Sequence, residues 1–94
     1  HDIIKYTFMD INKLISIVKN KLVSQIVIQN IEIEDKSFLH KNHKGNDGNK
    51  FHLKITIASN ELSKLRKIDS NRKIYKILEI ELEKYIHSLQ ILIN

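Results

Sequence analysis

Lys84-Tyr85-Ile86-His87-Ser88-Leu89-Gln90-Ile91 joins two periodicities without a single Gly or Pro. Upstream, Ile74, Ile77, Leu78, Leu82 and Tyr85 recur at helical spacing, and downstream, Leu89, Ile91 and Ile93 recur at every second position. The period changes at His87. Its side chain therefore stands between a helix end and a strand start, firmly placed yet near the surface.

Working outward, Asp69-Ser70 reads as the cap of that closing helix, and Glu61 to Ile68 as a short basic helix behind an Asn or Ser cap. Before it, Phe51, Leu53, Ile55 and Ile57 alternate with His52, Lys54 and Thr56, which predicts a strand ending at Ser59-Asn60. Lys36 to Lys50 is a polar loop of about 15 residues that holds both glycines, Gly45 and Gly48; loops of that length are usually functional or mobile. Gln25 to Asp35 is β-branched, with Ile31 and Ile33 on one side and Glu32 and Glu34 on the other, as in a strand with one wet face. Asp10 caps a first helix with Ile11, Leu14, Ile15, Val18 and Leu22 on one face, and residues 1 to 9 show no clear period.

The order is α-β-β-α-α-β, an α+β fold with a three-stranded mixed sheet and helices packed on one face. The first two strands pair antiparallel, and the third arrives by a helical crossover that allows parallel pairing. Leu14, Val18, Leu78 and Leu82 supply the core. At 94 residues this is a single domain spanning residues 1–94, its ordered core about 10–93.

A hydrophobic fraction of 41% with 29% charged residues is that of a globular domain, and no run approaches the roughly 18 apolar residues of a membrane span. With no cysteine, disulfides and thiolate metal sites are ruled out, so metal ligation falls to His and carboxylates or to a partner's sulfur. The net charge of +5 favours acidic partners, nucleic acid among them. The chain starts at His1, as a trimmed product would, with room for a targeting peptide removed ahead of it.

From about Asp10 to Ile93 these residues resemble the BolA family, whose fold is a class II KH-like one. Ile31-Glu32-Ile33-Glu34-Asp35-Lys36-Ser37 is similar to the family's first strand, and His52-Leu53-Lys54-Ile55-Thr56-Ile57-Ala58-Ser59 to its second. Asn71-Arg72-Lys73-Ile74-Tyr75 stands where the family usually has His-Arg-Leu-Val-Tyr. Ile86-His87-Ser88-Leu89 matches its most characteristic motif, Val/Ile-His-Ala-Leu. Two positions depart: Asn71 replaces the usual histidine, and Lys64 falls where Gly is common in the turn after the short helix.

The resemblance implies a non-enzymatic adaptor, involved in iron-sulfur cluster trafficking or iron regulation, that forms a heterodimer with a monothiol glutaredoxin. A 2Fe-2S cluster is then shared with the glutaredoxin cysteine and glutathione, and is absent from the isolated protein, a monomer or weak homodimer. His87 matches the invariant family ligand. The second ligand is expected from His43 or His40 in the long loop, ahead of His52, because a loop residue can reach toward His87. By strand parity His52 faces away from the helices, whereas His87 shares a phase with Leu89 and Ile91. Imidazole is an accepted replacement for thiolate on one iron. Taken alone, a histidine on an apolar strand phase is more often structural than a ligand, and His40-x-x-His43 equally suits an adventitious nickel or zinc ion. The compartment stays open, cytoplasmic or mitochondrion-like.

The alternative is a nucleic-acid-binding, transcription-regulator-like module using Lys64, Arg66, Lys67, Arg72, Lys73 and Lys76 on the two adjacent helices. Against it, Gly45 and Gly48 lie in a different loop from the one where a KH domain carries its Gly-x-x-Gly turn, and Tyr75 and Tyr85 fit the core at helical spacing. The plainer reading of the charge run is a solvated helix face. For an enzyme the chain offers no nucleophile-base arrangement and no phosphate-cradling glycine loop.

Overall fold

The computed structural model describes residues 9–37 and 50–94. Helix α1 (Ile11–Gln25) begins behind Asp10, whose extended backbone accepts from the Leu14 N–H at 2.9 Å while its side chain makes no cap bond. Leu14, Val18 and Leu22, each four residues from the next, are fully buried along one face. Truncating Leu14 or Leu22 to Ala would cost about 2–5 kcal/mol.

The first strand is shorter than its β-branched run. Ile26 leaves α1 in an extended conformation and is buried at the helix end, and β1 covers only Asn30–Asp35 rather than starting at Gln25. Burial of an isoleucine at a helix end leaves the same residue types in sequence as a strand does. β1 pairs antiparallel with β2 (Phe51–Ala58), Ile31 opposite Ile57 and Ile33 opposite Ile55.

Ser59 then stops the sheet and starts a helix. Its Oγ accepts from the Leu62 N–H at 3.1 Å and donates to the Val27 carbonyl at 2.7 Å, tying α2 (Asn60–Ser63) to the α1–β1 connection. Helix α2 ends at Ser63, five residues short of the expected Ile68. Lys64 takes φ −84° and ψ −9°, ordinary right-handed values, so this turn has no need of the family's glycine.

Helix α3 (Lys67–Ile77) starts earlier than its expected Asp69-Ser70 cap. Ser70 is buried instead, donating to the Leu62 carbonyl at 2.9 Å across the α2–α3 corner. The closing helix is also broken once: Leu78 departs to φ −98° and ψ 19°, separating α3 from α4 (Glu79–Lys84). Leu78 is fully buried and Leu82 packs partly against the core, while Tyr75, expected inside, is 44% exposed. Glu81 is buried and reaches Lys21 of α1 at 2.9 Å.

Strand β3 (Ile86–Ile93) completes a sheet of order β1-β2-β3, parallel to β2. Leu53, Ile55 and Ile57 of β2 meet Leu14, Val18, Leu22, Leu62, Ile74 and Leu78 from the helices, which makes β2 the middle of the core. No helix among the described residues is long and apolar enough to cross a membrane.

Candidate metal-ligating histidine pair

The parallel ladder between β2 and β3 slips by one residue at its start. Phe51 stands opposite Ile86, but His52 stands opposite Ser88, so His87 is an extra residue without a counterpart. The Phe51 N–H reaches back to the Tyr85 carbonyl at 2.8 Å, fixing the point where the strand leaves α4. Ile86 and Leu89 both join the core although two residues separate them. His87 and Ser88 are exposed. The expected shared phase of His87 with Leu89 and Ile91 is thereby corrected: the bulge turns the imidazole out of the core.

His52 is held from three directions. Its backbone N–H donates to Ser37 Oγ at 3.0 Å, its carbonyl accepts from Lys36 N–H at 2.7 Å, and its ring Nδ1 lies 2.6 Å from Ser88 Oγ, the direction of that last bond following the ring's tautomer. It alternates with Leu53 along β2, as expected, yet only 6% of it is exposed. Its ring centroid stands 4.9 Å from that of His87, the planes tilted by 34°. Two imidazoles on one tetrahedral ion, with metal–nitrogen bonds of about 2.0–2.1 Å, place their centroids about 5 Å apart, a spacing this pair matches while His52 Nε2 itself is buried.

Of the second-ligand candidates, His40 and His43 lie outside the described residues. His52, ranked behind them by sequence, is the one placed beside His87. No group of three or more His, Cys, Asp or Glu side chains suited to a metal gathers among the described residues. Ser88 was missed by sequence reasoning altogether. Its pairing with His52 depends on the one-residue slip, which no glycine marks.

The basic candidates spread over the α2–α3 corner. Arg66 pairs with Asp69 at 2.8 Å and Lys73 with Glu61 at 2.7 Å, whereas Lys64, Lys67, Arg72 and Lys76 are exposed. The Lys73 hydrogen bond and, after it, the Val27 N–H hold the Glu61 carboxyl below its usual range. The Lys36 hydrogen bond does the same for Glu34. Asn71, in place of the family histidine, is half-buried on α3.

A family model described as BolA-like protein matches residues 22–94. The chain is 30% identical over 73 residues to the DNA-binding transcriptional regulator BolA of Haemophilus influenzae, covering 78% of this chain and 68% of that protein. Among solved structures it is similar to BolA1 from Arabidopsis thaliana, with 26% identity, TM-score 0.71, and 84% of this chain and 87% of that one covered. It is also similar to the BolA domain of SufE1 from Arabidopsis thaliana, with 25% identity, TM-score 0.72 and the same two shares.

Proposed function

The chain belongs to the BolA-like family, and from that premise we propose that it is a non-enzymatic adaptor which pairs with a monothiol glutaredoxin and lends His87 and His52 to a shared 2Fe-2S cluster. The observation carrying this reading is the 4.9 Å approach of the two imidazoles. The cluster is cargo. Bound through imidazole on one iron, it acquires a higher reduction potential than an all-thiolate site.

The two rings have different tasks. Exposed His87 is the contact a docking partner reaches first, and the bulge keeps it outside the core. Buried His52 is the fixed point, its Nδ1 oriented by Ser88 Oγ, and docking has to uncover its buried Nε2. The remaining positions fall to sulfur from glutaredoxin and glutathione, since this chain has no cysteine.

Co-expression with a monothiol glutaredoxin tests this directly. A coloured heterodimer is expected, its visible circular dichroism altered in His87→Ala and in His52→Ala. If both variants keep the parent spectrum and affinity, the pair is not the site. Should His87→Ala alone alter it, His40→Ala and His43→Ala identify the second ligand.

A second reading rests on exposed Lys64, Lys67, Arg72 and Lys76, and on a relative whose name includes DNA binding. The exposure of Tyr75 beside Arg72 and Lys76 removes one objection to it. Replacing Lys64 and Arg72 by Ala would lower the slope of log affinity against log salt by about 0.9 per lost duplex phosphate contact. Sequence-indifferent binding that vanishes at moderate salt would reduce this surface to bulk charge.

A further inference from the structure

At the end of β3 remote from His87, a groove of about 400 Å³ opens between the α2–α3 corner and the strand, lined by Leu62, Leu65, Lys67, Asn71, Ile91 and Ile93 among others. From this groove we infer that the chain docks an extended, acidic peptide segment of another protein as an added strand on β3, independently of the histidine pair.

Three observations converge there. Among the described residues β3 has a strand neighbour on one side only. The Asn94 N–H donates to the Ile57 carbonyl, so by alternation Ser88, Gln90 and Leu92 turn their backbone groups toward β2, and Leu89, Ile91 and Ile93 turn theirs outward. The Tyr75 hydroxyl confirms the direction, meeting the Leu89 carbonyl from outside at 3.3 Å. Ile91 and Ile93 thus present N–H and C=O groups along the groove at strand spacing, the pattern used in β-strand addition.

The second observation is that the outward carbonyls of Ile91 and Ile93 border this groove, and an acceptor there calls for an N–H. A peptide backbone brings N–H groups; a phosphodiester chain offers acceptors, and its bases would need aromatic platforms that the groove lining does not supply.

The third is charge. Exposed Lys64 and Lys67 stand at the corner, and the neighbouring acids are engaged, Asp69 by Arg66 and Glu61 by Lys73. Carboxylates on the peptide's groove-side positions complement these lysines, while its alternate apolar side chains lie on the opposite sheet face beside exposed Leu92.

The test uses the full chain and a fluorescein-labelled Val-Glu-Val-Glu-Val-Glu peptide, with fluorescence anisotropy and amide hydrogen exchange. Saturable binding is expected, together with slowed exchange at the Ile91 and Ile93 amides. Ile91→Pro removes an outward N–H that β2 does not use, and Lys67→Glu reverses the charge; each should weaken binding roughly tenfold, equal to about 1.4 kcal/mol. If Ile91→Pro does not fold, Lys67→Glu and the exchange pattern decide the matter. Equal binding of a Val-Lys peptide, unchanged exchange at Ile91 and Ile93, or occupation of the groove by oligothymidylate while the peptide fails to bind would each overturn the proposal.

Discussion

His52 Nδ1 and Ser88 Oγ stand 2.6 Å apart across the parallel β2–β3 pair, joining the ring of a buried histidine to a residue that strand parity alone would pair elsewhere. Ser88→Ala should leave the fold intact and cost about 1 kcal/mol, the net worth of one such bond, measured by urea unfolding. The ring nitrogen resonances of His52 should move as its tautomer is released. Unmoved resonances would show that the ring is oriented by something else.

His87 separates stability from function. Its side chain is exposed and belongs to a bulge, so His87→Ala should change unfolding free energy by no more than about 0.5 kcal/mol while altering the spectrum of the glutaredoxin complex. Deleting His87 is a different experiment. It forces Ser88 or Ile86 out of its present register, and a loss of several degrees in melting temperature is expected.

Lys21 and Glu81 join α1 to α4, the carboxylate 7% and the ammonium 33% exposed by side chain. Lys21→Ala leaves that carboxylate buried without its cation, at about 2 kcal/mol, with the lysine's partial exposure keeping the figure below that of a fully buried pair. Adding Glu81→Gln should recover part of the loss. A double-mutant cycle on thermal or urea unfolding reads the coupling, and strict additivity would remove the pair from the account.

Glu61 predicts a pH dependence. Its folded pKa lies below the usual glutamate value of 4.5, first through the Lys73 hydrogen bond and then through the Val27 N–H. A depressed carboxylate stabilises the fold above pH 4.5 and loses that contribution as pH falls through its folded value. Glu61→Gln should therefore flatten stability between pH 4.5 and lower values and change it less steeply than the parent. Parallel acid-unfolding curves would refute this.

The fold was legible where burial and period coincide. Leu14, Val18 and Leu22 on α1, and Leu53, Ile55 and Ile57 on β2, announce themselves because each element turns one side to a common core. Boundaries were less legible: Ile26 is buried at a helix end rather than in a strand, and Ser70 is a buried tie rather than a cap, uses of side chains that residue type does not distinguish. At the site, His87 was found through its motif, whereas the choice of His52 depended on a ladder slip that composition cannot report. Tyr75 fits a helical apolar stripe yet stands beside the strand edge, its hydroxyl on the Leu89 carbonyl.

Lys64 in its right-handed turn tells a smaller story about substitution. The slip at His87 tells a larger one. Because Ile86 and Leu89 must both reach the interior with two residues between them, the interval itself is under constraint, more than the letters that fill it. An insertion or deletion tolerated in a loop would here exchange inside for outside along the whole of the last strand. Designers grafting this corner onto another scaffold should copy its spacing first and choose its side chains afterwards.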